Sequence, residues 1–355
     1  MEKGEDEATI GVKEIARRAN VSIATVDRVI HNRTGVAENT RKKIQQIIKD
    51  IDYQPNLLAS RLASKKVYSL AVLIPEVSNE TDYWEAPLNG IQRAESEIGK
   101  YGIKTKIYLF DLNSRASFIQ QTERVMADKV DGVLLAPSFI EESTYFTYRC
   151  KERKIPYVFI NSDIPNQDSL CYIGPDLMKS GYLAGHLMSY GIGEQGKVLV
   201  VNISKEMDNH HHLLRKEEGF RKYFEDHQRA NEIVKVDVRQ TEYTALEETL
   251  AEVFSIHPDI KAIFTTNSRI SSVARFVEKS AKEKLLLIGY DFLKENIEYL
   301  KKETIDFLIC QKPEEQAYRG MMTLYQHLML ASEVEKVHYM PIDIITKENY
   351  TFYSN

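Results

Sequence analysis

VSIATVDRVIHNRTGV, residues 21–36, has the pattern of a short helix that enters DNA, yet it carries Asp27 and lies in a chain of formal charge −5. Val26, Val29 and Ile30 share one face at helical spacing, which leaves Ile23, Ala24, Asp27, Arg28 and His31 facing outward. Ser22 is an N-cap residue type for such a helix. Upstream, VKEIARRA (12–19) places Val12, Ile15, Ala16 and Ala19 at the same spacing. Asn20-Val21 then makes the turn, because Asn tolerates the left-handed conformation. Downstream, a third amphipathic helix turns Ile44, Ile47, Ile48 and Ile51 inward and Arg41, Lys42, Lys43 and Lys49 outward. Helix, tight turn, helix and supporting helix is the helix-turn-helix arrangement, whose second helix reads the major groove. A plain three-helix bundle with a basic solvated face would share these features.

The acidity is unevenly spread. Residues 1–66 hold 13 Lys/Arg against 9 Asp/Glu, whereas the remainder holds 34 against 43. Without the first eight residues the head carries 12 basic and 5 acidic side chains. A basic head on an acidic body is the pattern expected when only one end meets phosphates.

After the third helix comes YQPNLLASRLASKK, residues 53–66. Pro55 suits the first position of a helix, and so short a helix is marginal alone in water. Folding only on DNA, with Leu62 as an apolar wedge in the minor groove, accounts for that composition.

IGVKEIARRANVSIATVDRVIHNRTGVAENTRKKI…YQPNLLASRLAS resembles the lactose-repressor (LacI/GalR) family of bacterial transcription regulators. The match runs over about 55 consecutive residues: helix-turn-helix, supporting helix, Y-x-P-N and hinge helix. The resemblance implies base-reading roles for Ile23, Ala24 and Arg28 and a phosphate contact for Thr25. It puts Leu62 at the intercalating hinge position and Ala59 where a small residue lets two hinge helices pack. Ser22, Asp27, His31 and Asn56 complete the expected DNA-facing set. Two positions depart from the pattern: Asp27 stands where Ser is usual, and Ala37 replaces a frequent helix-capping Ser. Asp27 has three readings: local pairing with Arg28 or His31, acceptance of a cytosine amino hydrogen bond, or a place clear of the backbone.

From residue 67 the texture changes. YSLAVLIPE, KTKIYLFD, DGVLLAP, IPYVFIN, GKVLVVNIS, IKAIFTTN and LLLIGYD are β-rich runs separated by helical stretches. Strands alternating with helices indicate parallel sheets in doubly wound α/β domains. About ten such strands exceed one sheet, so the expected architecture is α/β, with an all-α helix-turn-helix head and a two-lobed doubly wound body. The expected divisions are a head over 1–54, a hinge over 55–66, one lobe over 67–163 with 292–330, and a second over 164–291 with 331–355.

Ligands of such folds bind beyond the carboxyl ends of the strands. Asn79, Tyr83, Trp84, Asp111, Asn161, Ser162, Asp163, Asn267, Asp291 and Gln311 all follow strand segments. Amides, carboxylates and an aromatic pair suit a polyhydroxylated ligand, since each polar group makes directional bonds to hydroxyls. Taken alone, each residue reads better as a cap or turn than as a ligand, and Asp111 and Asp163 are read that way. The body resembles the effector domain of the same family, itself similar to periplasmic ribose-type binding proteins. That resemblance makes Asn267, Asp291 and Gln311 ligands for sugar hydroxyls and Tyr83-Trp84 a stacking pair. It puts Asn161-Ser162 at a site that is often Asp-Arg, and Lys216, in RKEEGF (215–220), where an Arg is usual. A Lys cannot copy a bidentate Arg.

Other classes find little support. Cys150, Cys171 and Cys310 are sparse and odd in number, as expected of reduced core residues. The acidic N-terminus has no apolar run of a signal peptide, and no stretch reaches the roughly 20 apolar residues of a membrane span. His210-His211-His212 lacks partner ligands at metal spacing, and GIGEQGK (191–197) reads as a helix-to-strand turn. No P-loop, GxSxG or HExxH pattern occurs. The expectation is therefore a cytoplasmic, non-enzymatic regulator without metal or cofactor. Its expected partners are double-stranded, near-palindromic operator DNA, a sugar effector and a second copy of itself, with no membrane. A solute-binding protein without a DNA role and a sugar-acting α/β enzyme are the alternatives.

Overall fold

The computed structural model describes residues 11–30, 32–51, 53, 66–78, 81–194, 196–205, 211–280 and 284–355. The chain forms two compact units, Met1–Lys66 and Val67–Asn355. His31, Asn79 and the hinge residues Asn56, Ala59 and Leu62 lie outside the described residues.

The head consists of α1 (Val12–Ala19), α2 (Ile23–Ile30) and α3 (Glu38–Asp50). Asn20 ends α1 in the left-handed conformation at φ 57°. Ser22 Oγ accepts from the Thr25 amide at 3.2 Å, satisfying a donor at the start of α2. Ile15, Val26 and Ile44 form a fully buried centre, with Ala16, Ala19 and Val29 around it. Ile47, Ile48 and Ile51, expected inward, are only half-buried. A bundle this small has little interior to cover a whole helix face. Lys43 Nζ donates to the Ala19 carbonyl at 3.0 Å and ties α3 to the end of α1.

In the body, one sheet runs β11-β5-β4-β3-β1-β2. Its strands are β1 (Tyr68–Pro75), β2 (Ile103–Phe110), β3 (Gly132–Leu135), β4 (Tyr157–Ile160), β5 (Cys171–Gly174) and β11 (Val337–Tyr339), all parallel. The second runs β12-β10-β9-β8-β6-β7. It comprises β6 (Lys197–Ile203), β7 (Ile233–Val238), β8 (Ile260–Thr265), β9 (Leu286–Tyr290), β10 (Phe307–Cys310) and β12 (Asp343–Ile345). Only β12 is antiparallel to its neighbour. Apolar clusters cover both faces of each sheet, so central strands such as GVLL and YVFI are buried throughout. Burial on both faces is why they read as continuous apolar runs.

Strand pairing corrects the expected lobe boundaries at 163/164 and 291/292. β5 stays in the first sheet, where the Leu170 amide donates to the Tyr157 carbonyl at 2.8 Å. The polar, turn-rich loop before it hides a four-residue strand too short to show periodicity. β10 stays in the second sheet, because β9, the helix Lys294–Lys301 and β10 form one βαβ unit. The chain therefore passes between sheets after β5, after β10, and between β11 and β12.

Two helices of the second lobe, Leu177–Gly191 and His211–Asp226, cross in near contact. A Cβ on Gly181 would stand 1.8 Å from the Lys216 carbonyl oxygen, and one on Gly219 2.0 Å from that of Met178. Only glycine permits this approach.

Ala37 occupies the N-cap of α3 and makes no side-chain capping bond. Ala37→Ser is expected to stabilise the head by about 1 kcal/mol, readable as a higher denaturation midpoint. An unchanged midpoint would show that the amides at this end are already satisfied.

Candidate functional site

The outer face of α2 presents Ser22, Ile23, Ala24 and Arg28 to solvent, with Thr25 and Asp27 half-buried. Asp27 accepts from Arg33 Nη1 at 3.2 Å. Arg33, beyond the end of the helix, is thus a local partner that the sequence reading did not name. Asn32, at φ 50°, turns the chain back, and the Arg33 amide donates to the Arg28 carbonyl at 2.7 Å. Arg41 from α3 fixes the same loop through the Arg33 carbonyl at 2.6 Å.

In the body, the carboxyl ends of the two sheets converge on one cavity with about 680 Å³ of empty space, counting solvent at its mouth. Seven of the eight expected ligand residues line it: Tyr83, Trp84, Asn161, Lys216, Asn267, Asp291 and Gln311. Ser162 does not. Its hydroxyl donates to the Pro137 carbonyl at 3.2 Å, because Asn161, at φ 68°, bends the chain away. Asp111 acts locally, accepting from the Asn113 amide at 2.8 Å, whereas Asp163, read as a cap or turn residue, instead pairs with the distant Arg215 at 2.5 Å.

Nine lining residues escaped the sequence reading. Leu112, Pro137, Ser138 and Ser204 follow strands and were accessible to the same rule. Ile203 is itself the last residue of β6. His212 belongs to the triple histidine, while Thr81, Ser268 and Arg269 sit in loops whose path needs the fold. Among the described residues no cluster of three or more His, Cys, Asp or Glu is disposed to hold a metal.

Each polar group is positioned by neighbours. The Tyr83 hydroxyl donates to Asn161 Oδ1 at 2.8 Å, and the Asn161 amide donates to Gln316 Oε1 at 2.9 Å. Gln316 in turn donates to the Gln311 carbonyl at 2.7 Å. Gln311 is buried, and its Nε2 has no hydrogen-bond partner among the described residues. Asn267 Nδ2 donates one of its two hydrogens to the Ile203 carbonyl at 2.7 Å. Asp291, at φ 75°, is strained for a residue with a side chain, a conformation found preferentially at functional sites. Asn296 holds that turn through the Asp291 and Tyr290 carbonyls.

The buried ammonium of Lys216 lies 3.6 Å from the Tyr290 ring centroid and 3.3 Å from the Thr266 carbonyl. Burial pushes its pKa below the lysine range and that of Asp291 above the carboxylate range; each charge opposes the other's shift. Two contacts close the cavity between lobes: the Asp163–Arg215 pair and the Thr81 Oγ1–Ser268 Oγ contact at 3.2 Å.

The exposed Asp27–Arg33 pair stabilises the head by about 0–1 kcal/mol. Asp27→Ser is accordingly expected to leave thermal stability nearly unchanged and to raise affinity for all DNA sequences alike. Binding measured across a randomised pool checks this; an altered sequence preference would mean the carboxylate reads a base.

Because its pKa is raised, folded Asp291 keeps its proton to higher pH than in the unfolded chain. Stability is therefore lost as pH rises from the unfolded value of 3.8 through the native one. Lys216 limits that loss. Lys216→Met should cost about 3–5 kcal/mol at pH 7, and the gap to wild type should narrow as pH falls and Asp291 takes up its proton. Thermal denaturation across pH tests this; a pH-independent gap would show that the two charges do not support one another.

Residues 70–331 match the family described as periplasmic binding protein domain, and residues 11–56 match bacterial regulatory proteins, lacI family. Catabolite control protein A of Streptococcus mutans is 30% identical over 192 residues, 51% of this chain and 56% of that protein's length. The ribose operon repressor of Halalkalibacterium halodurans is 25% identical over 297 residues, covering 79% of this chain and 80% of that one. A solved structure of a candidate LacI transcriptional regulator from Bacteroides fragilis is 30% identical with a TM-score of 0.77, covering 81% of this chain and all of that one. The chain belongs to the lacI family of bacterial regulatory proteins, with a periplasmic-binding-protein-like body.

Proposed function

We propose that the protein is a sugar-responsive, sequence-specific DNA-binding transcriptional regulator. The observation that carries this reading is that one chain joins a helix-turn-helix head to a two-lobed cleft lined by amides, a carboxylate and an aromatic pair. α2 enters the major groove with Ile23, Ala24 and Arg28 at base edges and Ser22 and Thr25 toward the phosphates. Two copies place two such helices on a near-palindromic operator. In the cleft, Asn161, Asn267, Asp291 and Gln311 engage hydroxyls, and Trp84 and Tyr83 cover the apolar side of the ring.

Binding across the cleft favours the closed arrangement of the lobes, and that differential affinity biases the head's DNA-bound state. The relatives are transcriptional regulators, and we assign the cleft a sensing rather than a catalytic role, without metal or cofactor. No helix among the described residues is long and apolar enough to cross a membrane; we place the protein in the cytoplasm, where its DNA target is.

Footprinting of the full chain is expected to protect a near-palindromic site of about 14–20 base pairs. A bound sugar should shift operator affinity by about 5- to 150-fold. The absence of a protected site, or sugar binding that leaves DNA affinity unchanged, would overturn the reading.

A further inference from the structure

The carboxyl end of α2 is poorly suited to meet a polyanion by itself. The formal charges of the helix, Asp27 and Arg28, cancel, and the helix dipole adds partial negative charge at that end. Phosphates approaching there are repelled unless a cation comes from elsewhere. Arg33 supplies one. Its Nη1 donates to Asp27 Oδ2 at 3.2 Å, and Asp27 belongs to the outward side of α2, so the guanidinium is brought to that side too.

The backbone beneath this side chain is fixed. Asn32 turns the chain at φ 50°, the Arg33 amide donates to the Arg28 carbonyl at 2.7 Å, and Arg41 Nη2 donates to the Arg33 carbonyl at 2.6 Å. The side chain itself is 65% exposed, and its Nε and Nη2 have no partner among the described residues. A guanidinium is a planar fork of several donors, so one bond to Asp27 leaves others for a second acceptor. An exposed pair is weakly held. Asp27 therefore orients the group without withdrawing it from a stronger acceptor. The first residues of a recognition helix face the base edges, so a group beyond its far end stands toward the flanking backbone. Phosphate oxygens match the fork there in charge and in spacing.

Resting on the DNA-binding reading above, we infer that Arg33 is a further DNA-contacting residue, held on the recognition face by Asp27 and bonded to a backbone phosphate. Asp27 is then a positioning residue whose charge Arg33 masks from the duplex.

The full-length protein is titrated, over a series of salt concentrations, against a randomised duplex pool and against the duplex that the wild type enriches from it. In Arg33→Gln, affinity is expected to fall about tenfold for all sequences alike. The slope of log affinity against log salt should fall by about 0.9, the share of one phosphate. Arg33→Lys keeps the charge and should keep most of that slope. Asp27→Ser should gain more affinity in the Arg33→Gln background than in the wild type, because there the carboxylate meets the duplex without Arg33 beside it. Lys49→Gln removes a charge from α3 instead, and in that background the gain from Asp27→Ser should match the wild type. Wild-type affinity and slope in Arg33→Gln would overturn the inference and leave the DNA-binding reading intact. So would a loss confined to particular base positions, which would make Arg33 a base reader. Equal gains from Asp27→Ser with and without Arg33 would overturn the masking role of the pair. A wild-type protein that binds no duplex in the pool would overturn the DNA-binding reading as well.

Discussion

Everything in the body depends on two parallel sheets having to point their carboxyl ends at one another. Parallel strands expose their loops and helix starts at a single edge, and a lone sheet would leave that edge open to water. Here the chain passes between the sheets three times, which holds the two edges face to face. Tyr83, Asn161, Asn267, Asp291 and Gln311 come from five separate strand ends, yet they line one cavity. Their convergence follows from topology, not from any local motif.

Within that frame Lys216 is the exception, since it arrives on a helix. Gly181 and Gly219 let the helix His211–Asp226 approach its neighbour backbone to backbone, and this carries the ammonium over the Tyr290 ring. Once there, it and Asp291 are bound together by burial: neither charge is comfortable without the other. The strained turn at Asp291 is held by Asn296, which donates to two successive carbonyl groups. The site is thus built from supports at least as much as from the residues that face the cavity.

How much of this was legible in the sequence differs by region and for physical reasons. The head was readable almost throughout, because Asn20, Ser22 and the spaced Ile and Val residues act within one or two helical turns. Six of the cavity residues were readable because they follow an apolar run that marks a strand's carboxyl end, and Lys216 was reached only through the family resemblance. The lobe boundaries were not, since β5 and β10 are four residues each and their membership is decided by strands far away in sequence. Ser162 failed because one left-handed residue, Asn161, reverses the direction of the next side chain. Arg269, Thr81 and Ser268 could not be found without knowing which loops meet. Arg33 was missed as a partner of Asp27 for a similar reason, as the turn at Asn32 is a matter of backbone angle.

The Asp163–Arg215 and Thr81–Ser268 contacts link the lobes without drawing on any ligand atom. They give the closed arrangement a baseline population of its own, which a ligand only augments. Each is a partly exposed contact worth at most about 1 kcal/mol, or about a fivefold change in that population. Threshold and dynamic range can therefore be retuned at the Asp163–Arg215 pair, neither residue of which lines the cavity, while the chemistry that recognises the ligand stays untouched. Such a sensor can drift in sensitivity without drifting in specificity.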